Sequence, residues 1–333
     1  MSARPAPRSR AQRQRRSPPP RAQRGIALLV AVLLVALGTI LAVTVAYQNA
    51  MTARRGIATY NFDQSILIAQ GAEALAAYGL RQIHQSDPQH IYPGQGWDKP
   101  LGPVEVVPGV MLEASLEDLQ GRMNLNNLVK EDGTPNATYA TAFTQLLEML
   151  GLEPKWTGFI IDWIDADIVP QNPDGAEDSV YMGQLPPYRT ANRYITSPSE
   201  LLALPGFGID RYQRLAPYVT ALPWSTKINV CTAPGPVLDA FLGSGHSEFG
   251  ANPQQLTQTR GNTTGCWPTL ANYQASMPQN AAKGAMQFFT QTSSYFRLTS
   301  FITIGSTEFN LYSLLYQDTN GMVRPIQRSF TAD

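Results

Sequence analysis

The sequence has 333 residues, 43 % of them hydrophobic, enough chain and apolar material for one large core or two smaller ones. Its formal net charge of zero conceals an asymmetry: residues 1–25 carry eight arginines and no acid, leaving 17 basic against 25 acidic side chains in the remainder. An acidic body lacks the concentration of Lys and Arg that a phosphate backbone requires, which argues against a nucleic-acid partner.

Residues 26–46 are an uninterrupted run of 21 apolar or small residues, long enough to cross a hydrocarbon layer of about 30 Å. The arginines before it stay on the cytoplasmic side by the positive-inside rule, which puts the chain after Ala46 outside the cytoplasm. A cleaved secretory signal would use an apolar region of about 7–15 residues and a small-residue cleavage site, and Val45-Ala46 is a poor version of one. A plain single-pass anchor would fit the length. The third reading rests on where the charge ends: Arg24-Gly25 abuts the apolar run directly. That junction resembles the leader of pilin-like precursors and implies cleavage between Gly25 and Ile26 by a prepilin peptidase.

The helical pattern continues from Tyr47 to about Gln82, with no Pro, many Ala, and apolar residues at helical spacing that include Ile66, Ala69, Leu75 and Leu80. In pilin-like proteins the fifth mature residue is usually Glu, which neutralises a neighbour's N-terminal ammonium inside the apolar filament. Here it is Val30. A subunit with no neighbour above it has no ammonium to pair, and a lone carboxylate in an apolar layer would be costly.

After Pro88 comes a Pro/Gly-rich loop, then two strand-like segments near 104–107 and 110–116. Residues 118–128 (DLQGRMNLNNL), 162–170 (DWIDADIVP), 175–181 (GAEDSVY), 186–192 (PPYRTAN) and 200–206 (ELLALPG) follow in order. In that order and spacing they resemble the type II secretion minor pseudopilin K family over nearly the whole chain, and Val30 is itself a habit of K-type subunits. The resemblance implies an α+β, pilin-like fold with a long N-terminal membrane helix, an antiparallel sheet and a large inserted α-helical domain. Residues 137–242 read as helices, whereas 295–331 read as three aromatic and β-branched strands split by Gly305-Ser306 and an Asn320-Gly321 hairpin signal. The expected organisation is a basic leader (1–25), a transmembrane helix (26–46) continuing to about 85, a first part of the sheet (86–123), an inserted helical domain (124–290) and C-terminal strands (291–333).

Within the insertion, Leu146-Leu147 lead to Gly151-Leu152, and Leu201-Leu202 lead to Gly206-Phe207 at the same spacing. Each copy reads as helix, tight turn, helix. The second resembles a helix-hairpin-helix element, but Asp210 beside the turn and the acidic body favour a packing motif over a phosphate grip.

Between Lys155 and Arg189 lie six carboxylates, Asp162, Asp165, Asp167, Asp174, Glu177 and Asp178, and no Lys or Arg. An oxygen-rich loop of this kind suits Ca²⁺. The spacing does not fit an EF-hand, since Val169 stands at position 5 and the central Gly is missing. A solvated acidic surface is the bland alternative, against which Trp163, Ile164 and Ile168 place the cluster in apolar company. By the family resemblance the side-chain ligands are Asp165, Asp167, Glu177 and Asp178, with Asp162 capping or orienting. The two cysteines of the chain, Cys231 and Cys266, are expected to form a disulfide.

No catalytic constellation is legible. His84, His90 and His246 are isolated in sequence, the Gly-x-Ser-x-Gly elbow is absent, and no phosphate loop or zinc spacing occurs. The expected function is that of a minor pseudopilin capping the tip of a periplasmic pseudopilus and helping initiate its assembly, held in the inner membrane by one span and partnered by I-, J- and H-type subunits, and not an enzyme. A membrane-anchored, calcium-dependent periplasmic hydrolase is the alternative from another class.

Overall fold

The computed structural model describes residues 24–243, 245–250, 253–261, 265–278 and 281–331; most of the arginine-rich leader therefore lies outside the described residues. The chain divides into two compact units, Met1–Tyr60 and Asn61–Asp333. The described part of the first is helical throughout and belongs to α1 (Arg24–Ser86). Among the described residues this is the one helix long and apolar enough to cross a membrane, and its apolar window is not buried. α1 stops before Asp87-Pro88, as expected where a proline pushes its predecessor out of the helical region.

In the second unit the strands are β1 (Leu101–Val107), β2 (Val110–Asp118), β3 (Met123–Asn124), β4 (Val219–Thr220), β5 (Ile228–Asn229), β6 (Phe289–Thr290), β7 (Tyr295–Ile304), β8 (Thr307–Gln317) and β9 (Val323–Ser329). Five form one antiparallel sheet in the order β1-β2-β7-β8-β9. β2 and β7 pair without a break from Val110↔Ile304 to Asp118↔Phe296. Period-two alternation turns Phe296, Leu298 and Ile302 of β7 and Leu311 and Leu315 of β8 inward, where they meet Ala69, Ala72 and Leu80 of α1. Ser65, Ala69, Ala72, Glu73 and Leu80 define the buried stripe of the helix, which the half-buried Ala76 continues at steps of three and four residues. Leu75 falls off that stripe and is exposed, unlike its expected neighbours Ala69 and Leu80. Buried Glu73 accepts from Ser313 Oγ (2.6 Å) and from Arg328 Nε and Nη2 (2.7 Å each), tying α1 to β8 and β9.

Residues 119–294 leave at the end of β2 and return at the start of its hydrogen-bonded neighbour β7. They build a second core around Leu125, Phe143, Trp156, Phe207, Val230 and Phe289. Its helices include α2 (Ala137–Met149), α3 (Trp156–Ile164), α4 (Asp178–Tyr181), α5 (Gly208–Leu215) and α6 (Gly235–Asp239). The faint repeat is present with one difference. α2, the Gly151 turn and α3 form its first copy, but in the second the leading element, Pro198–Ala203, is a 3₁₀ turn before α5. Proline accounts for the change, because Pro205 holds Leu204 extended (ψ 127) and leaves no room for a longer helix. Gly206 (φ 80) and Gly208 (φ 74) supply the left-handed backbone that the turn needs.

Entry and exit of the insertion meet in a buried polar knot. Asp118 accepts from Gln120 N (2.8 Å), Thr232 Oγ1 (2.6 Å), Ser293 Oγ (2.6 Å) and Asn229 Nδ2 (3.2 Å). Asn229 also donates to Ile91 O (2.8 Å), and Gln120 Oε1 accepts from Ser294 N (2.6 Å). One carboxylate thus fastens the sheet to both ends of the insertion.

Candidate functional site

The acidic loop closes on itself at the end of α3. Asp162, on the last turn of that helix, accepts from Gln171 N (3.1 Å) and Ala176 N (2.6 Å), so its carboxylate folds the loop back. Gly175 permits the fold, since a Cβ there would collide with Gln171 N and Asp162 Oδ2. The result brings Asp162, Asp165 and Glu177 together, with one carboxylate oxygen of each within 4.8 Å of the others. All three are buried, at 0 %, 1 % and 5 % exposure.

Three carboxylates in so small a volume repel, and burial withholds the water that would screen them. Burial, reinforced by the Asp167, Asp162 and Glu177 charges, pushes the Asp165 carboxyl up to about 7. Burial and Asp162 push Glu177 to about 7 as well. Both Asp165 oxygens, Glu177 Oε1 and Asn192 Oδ1 are buried without a hydrogen-bond partner. Orphaned buried acceptors are uncommon in folded chains, and the three on Asp165 and Glu177, set among like charges, fit a hard divalent cation, whose ligands are oxygens.

The sequence-derived candidates divide between the cluster and its rim. Asp165 and Glu177 lie inside it. Asp167 is exposed, its Oδ1 accepting from Val169 N (2.7 Å), while its main-chain oxygen accepts from Asn192 Nδ2 (3.0 Å). Asp178 accepts from Thr190 N (3.2 Å) and Thr190 Oγ1 (3.1 Å) and lies 3.7 Å from Arg189. Asp162 orients the loop, as expected, and is also a member of the cluster. Its position three residues before Asp165, at the end of one helix, is the signal that places both on the same side. Asn192, which carries no charge and has a left-handed backbone (φ 45), was not among the candidates; it reaches the rim through its bond to the Asp167 main chain.

Elsewhere Cys231 and Cys266 are bonded, with Cα atoms 4.8 Å apart. Gly25, Ile26 and Val30 lie in the first turns of α1 and are exposed. His90 hydrogen-bonds Asp87 (3.0 Å), and His246 lies in the loop after α6.

An apolar N-terminal helix whose continuation packs on a five-stranded antiparallel sheet, interrupted between adjacent strands by a helical insertion, defines a pilin-like protein of the pseudopilin class. Residues 121–224 match the family described as Type II secretion system (T2SS), protein K. The type II secretion system protein K of Pseudomonas aeruginosa is 31 % identical over 92 % of this chain and 93 % of its own length. That of Klebsiella pneumoniae is 33 % identical over 91 % and 95 %. The chain belongs to the type II secretion system protein K family. In fold it is similar to the crystal structure of the GspK-GspI-GspJ complex of enterotoxigenic Escherichia coli, with a TM-score of 0.72 at 22 % identity, covering 84 % of this chain and 100 % of the other.

Proposed function

We propose that this minor pseudopilin caps the tip of a periplasmic pseudopilus and helps initiate its assembly during export of folded proteins. In this reading a prepilin peptidase cuts between Gly25 and Ile26, residues 26–46 remain in the inner membrane, and the second unit stands in the periplasm. Its partners are the other minor pseudopilins, of the I, J and H types, an assignment supported by the solved relative whose complex is named for GspK, GspI and GspJ. It acts by binding and carries no catalytic role.

The observation that carries the reading is the placement of residues 119–294 between adjacent strands of the sheet. A subunit within a helical shaft has neighbours on both sides, and an insertion of that bulk would have to be accommodated at every repeat. At the end of the filament it meets no such limit. Val30 supports the same position, because without a carboxylate there the helix cannot neutralise the ammonium of a subunit above, while its own ammonium at Ile26 can still be paired from below.

A calcium ion would be held by Asp162, Asp165 and Glu177 with the Asn192 carbonyl oxygen, and Asp167 and Asp178 at the rim. It would supply positive charge, tying the end of α3 to the start of α4. The site is structural in this reading. Full-length protein isolated from membranes should begin at Ile26 and co-purify with I-, J- and H-type subunits in a defined heteromer. A start after Ala46, or wild-type protein cross-linked along the shaft, would sink the assignment.

A further inference from the structure

A pocket on the insertion opens beside the turn that carries Trp224, walled also by Lys130, Asn136, Ser225, Lys227 and Gln287. Ser225 has φ 66, a left-handed conformation unfavourable for a residue with a side chain. It persists because buried amides hold the turn from behind. Ser225 N donates to Asn127 Oδ1 (2.9 Å), Asn127 Nδ2 to Thr226 O (2.8 Å), and Asn124 Nδ2 to Pro223 O (3.0 Å). Asn124 and Asn127 are 1 % and 4 % exposed, so a fixed scaffold holds the backbone on either side of the half-buried Trp224. Neither Lys130 nor Lys227 forms an ion pair with a described carboxylate. The neighbouring Asp132 feels the Lys130 charge, but its carboxylate is bonded first to Thr134, through Oγ1 (2.6 Å) and N (2.9 Å).

The geometry points to a binding site for an acidic saccharide, its ring face on Trp224 and its carboxylates toward Lys130 and Lys227. An indole offers a flat apolar surface with a negative face, suited to the C–H side of a pyranose. Two exposed ammoniums on an acidic body select an anion. Asn136, Gln287 and Ser225 line the ring position; Asn136 Oδ1 caps α2 through Tyr139 N (3.4 Å) and Gln287 Nε2 donates to Gly284 O (3.0 Å), so the Asn136 amide nitrogen, the Gln287 amide oxygen and the Ser225 hydroxyl are the groups that would meet hydroxyls. A peptide is the poorer occupant. It would want main-chain partners, and the turn has already committed Ser225 N and the Pro223 and Thr226 carbonyls to the asparagines behind it. This site is independent of the acidic loop and of the tip assignment.

Isothermal titration calorimetry of the full-length chain in detergent at low salt, with hexameric oligogalacturonate as the probe, tests the site. Saturable 1:1 binding is expected, weakened about tenfold in the double variant Lys130→Gln/Lys227→Gln and lost in Trp224→Ala. Both lysines are exposed, so the double variant should melt as the wild type does, and its result stands even if Trp224→Ala fails to fold. No saturable heat, equal affinity for the methyl-esterified neutral hexamer, or binding unchanged in the double variant overturns the proposal. Tighter binding of hexaglutamate than of oligogalacturonate overturns it in favour of an acidic peptide.

Discussion

Truncating Asp118 to Ala is expected to loosen the joint between sheet and insertion by about 3 kcal/mol. Four donors converge on this buried carboxylate, from Gln120 N, Asn229, Thr232 and Ser293. Two have other outlets: Asn229 Nδ2 also reaches Ile91 O and Ser293 Oγ at 2.8 Å each, and Thr232 Oγ1 can turn to Asn229 O at 3.4 Å. The Gln120 amide and the Ser293 hydroxyl are left without an acceptor, at about 1–3 kcal/mol each. Against this, the variant no longer buries a carboxyl whose pKa burial raises, which returns part of the loss. Asp118→Asn keeps the volume and one acceptor, with about 1 kcal/mol as the expected cost. Urea unfolding of the second unit followed by circular dichroism measures both, and a loss of 3 kcal/mol corresponds to a melting shift of about 6–12 °C. An Asp118→Ala variant within about 0.5 kcal/mol of wild type, or an Asn variant less stable than the Ala variant, would refute the reasoning.

Calcium at about 100 times its dissociation constant should stabilise the wild type by about 2.7 kcal/mol, and Asp165→Ala should abolish the response; differential scanning calorimetry with and without chelator reads it. The same melting temperature for wild type in both conditions would remove the ion from the account. Breaking the Cys231–Cys266 bond, whose ends are 35 residues apart in sequence, should cost about 4 kcal/mol in the chain-entropy model, measured as the difference in urea midpoint between the wild type and a Cys231→Ser/Cys266→Ser variant. Glu73 is pushed up by burial but held below the ordinary glutamate value of 4.5 by its hydrogen bonds from Arg328 and Ser313 and by the Arg328 charge. Its folded pKa being depressed, the stabilisation is present above pH 4.5 and is lost as the pH falls through the folded value. Glu73→Gln should therefore flatten the acid limb of the stability profile below pH 4.5, and parallel limbs in the two proteins would contradict the pair's role.

How far sequence reaches into this fold depends on the range of the forces involved. The apolar N-terminal helix is a composition signal, and β7 and most of β8 carry the period-two alternation that a half-buried sheet imposes, whereas β9 is exposed nearly throughout and is marked instead by the Asn320-Gly321 turn before it; the observed limits of all three differ from the expected ones by a residue or two. The acidic loop is legible because its members are local: Asp162, Asp165 and Glu177 lie within 16 residues of chain. Which carboxylates turn inward is not legible, because Asp162 is drawn in by the amides of residues 171 and 176 and Asp178 is held outward by Thr190 and Arg189. The knot at Asp118 leaves no trace at all, since its partners stand 111, 114 and 175 residues away. Two-residue strands such as β3 and β5, and the 3₁₀ turn at residues 198–203, are too short to show a period.

The insertion can be large because of where it is attached. Closing a loop of n residues costs an entropy that grows only with the logarithm of n, and here the ends are already adjacent, since β2 and β7 pair along nine residues. The segment has its own core, distinct from the one between α1 and the sheet, so its packing makes no demand on the strands beyond the joint. The joint is stiff because Asp118, Gln120, Asn229 and Ser293 are all buried and joined by hydrogen bonds, an arrangement that permits one geometry and penalises its neighbours. Such a body separates two tasks. α1 and the sheet present the pilin-like surfaces, while the acidic loop and the Trp224 pocket sit on a domain that the sheet positions without contributing a side chain to either. A substitution in either site should therefore leave the packing of α1 on the sheet intact, whereas a substitution at Asp118 changes the setting of both sites at once.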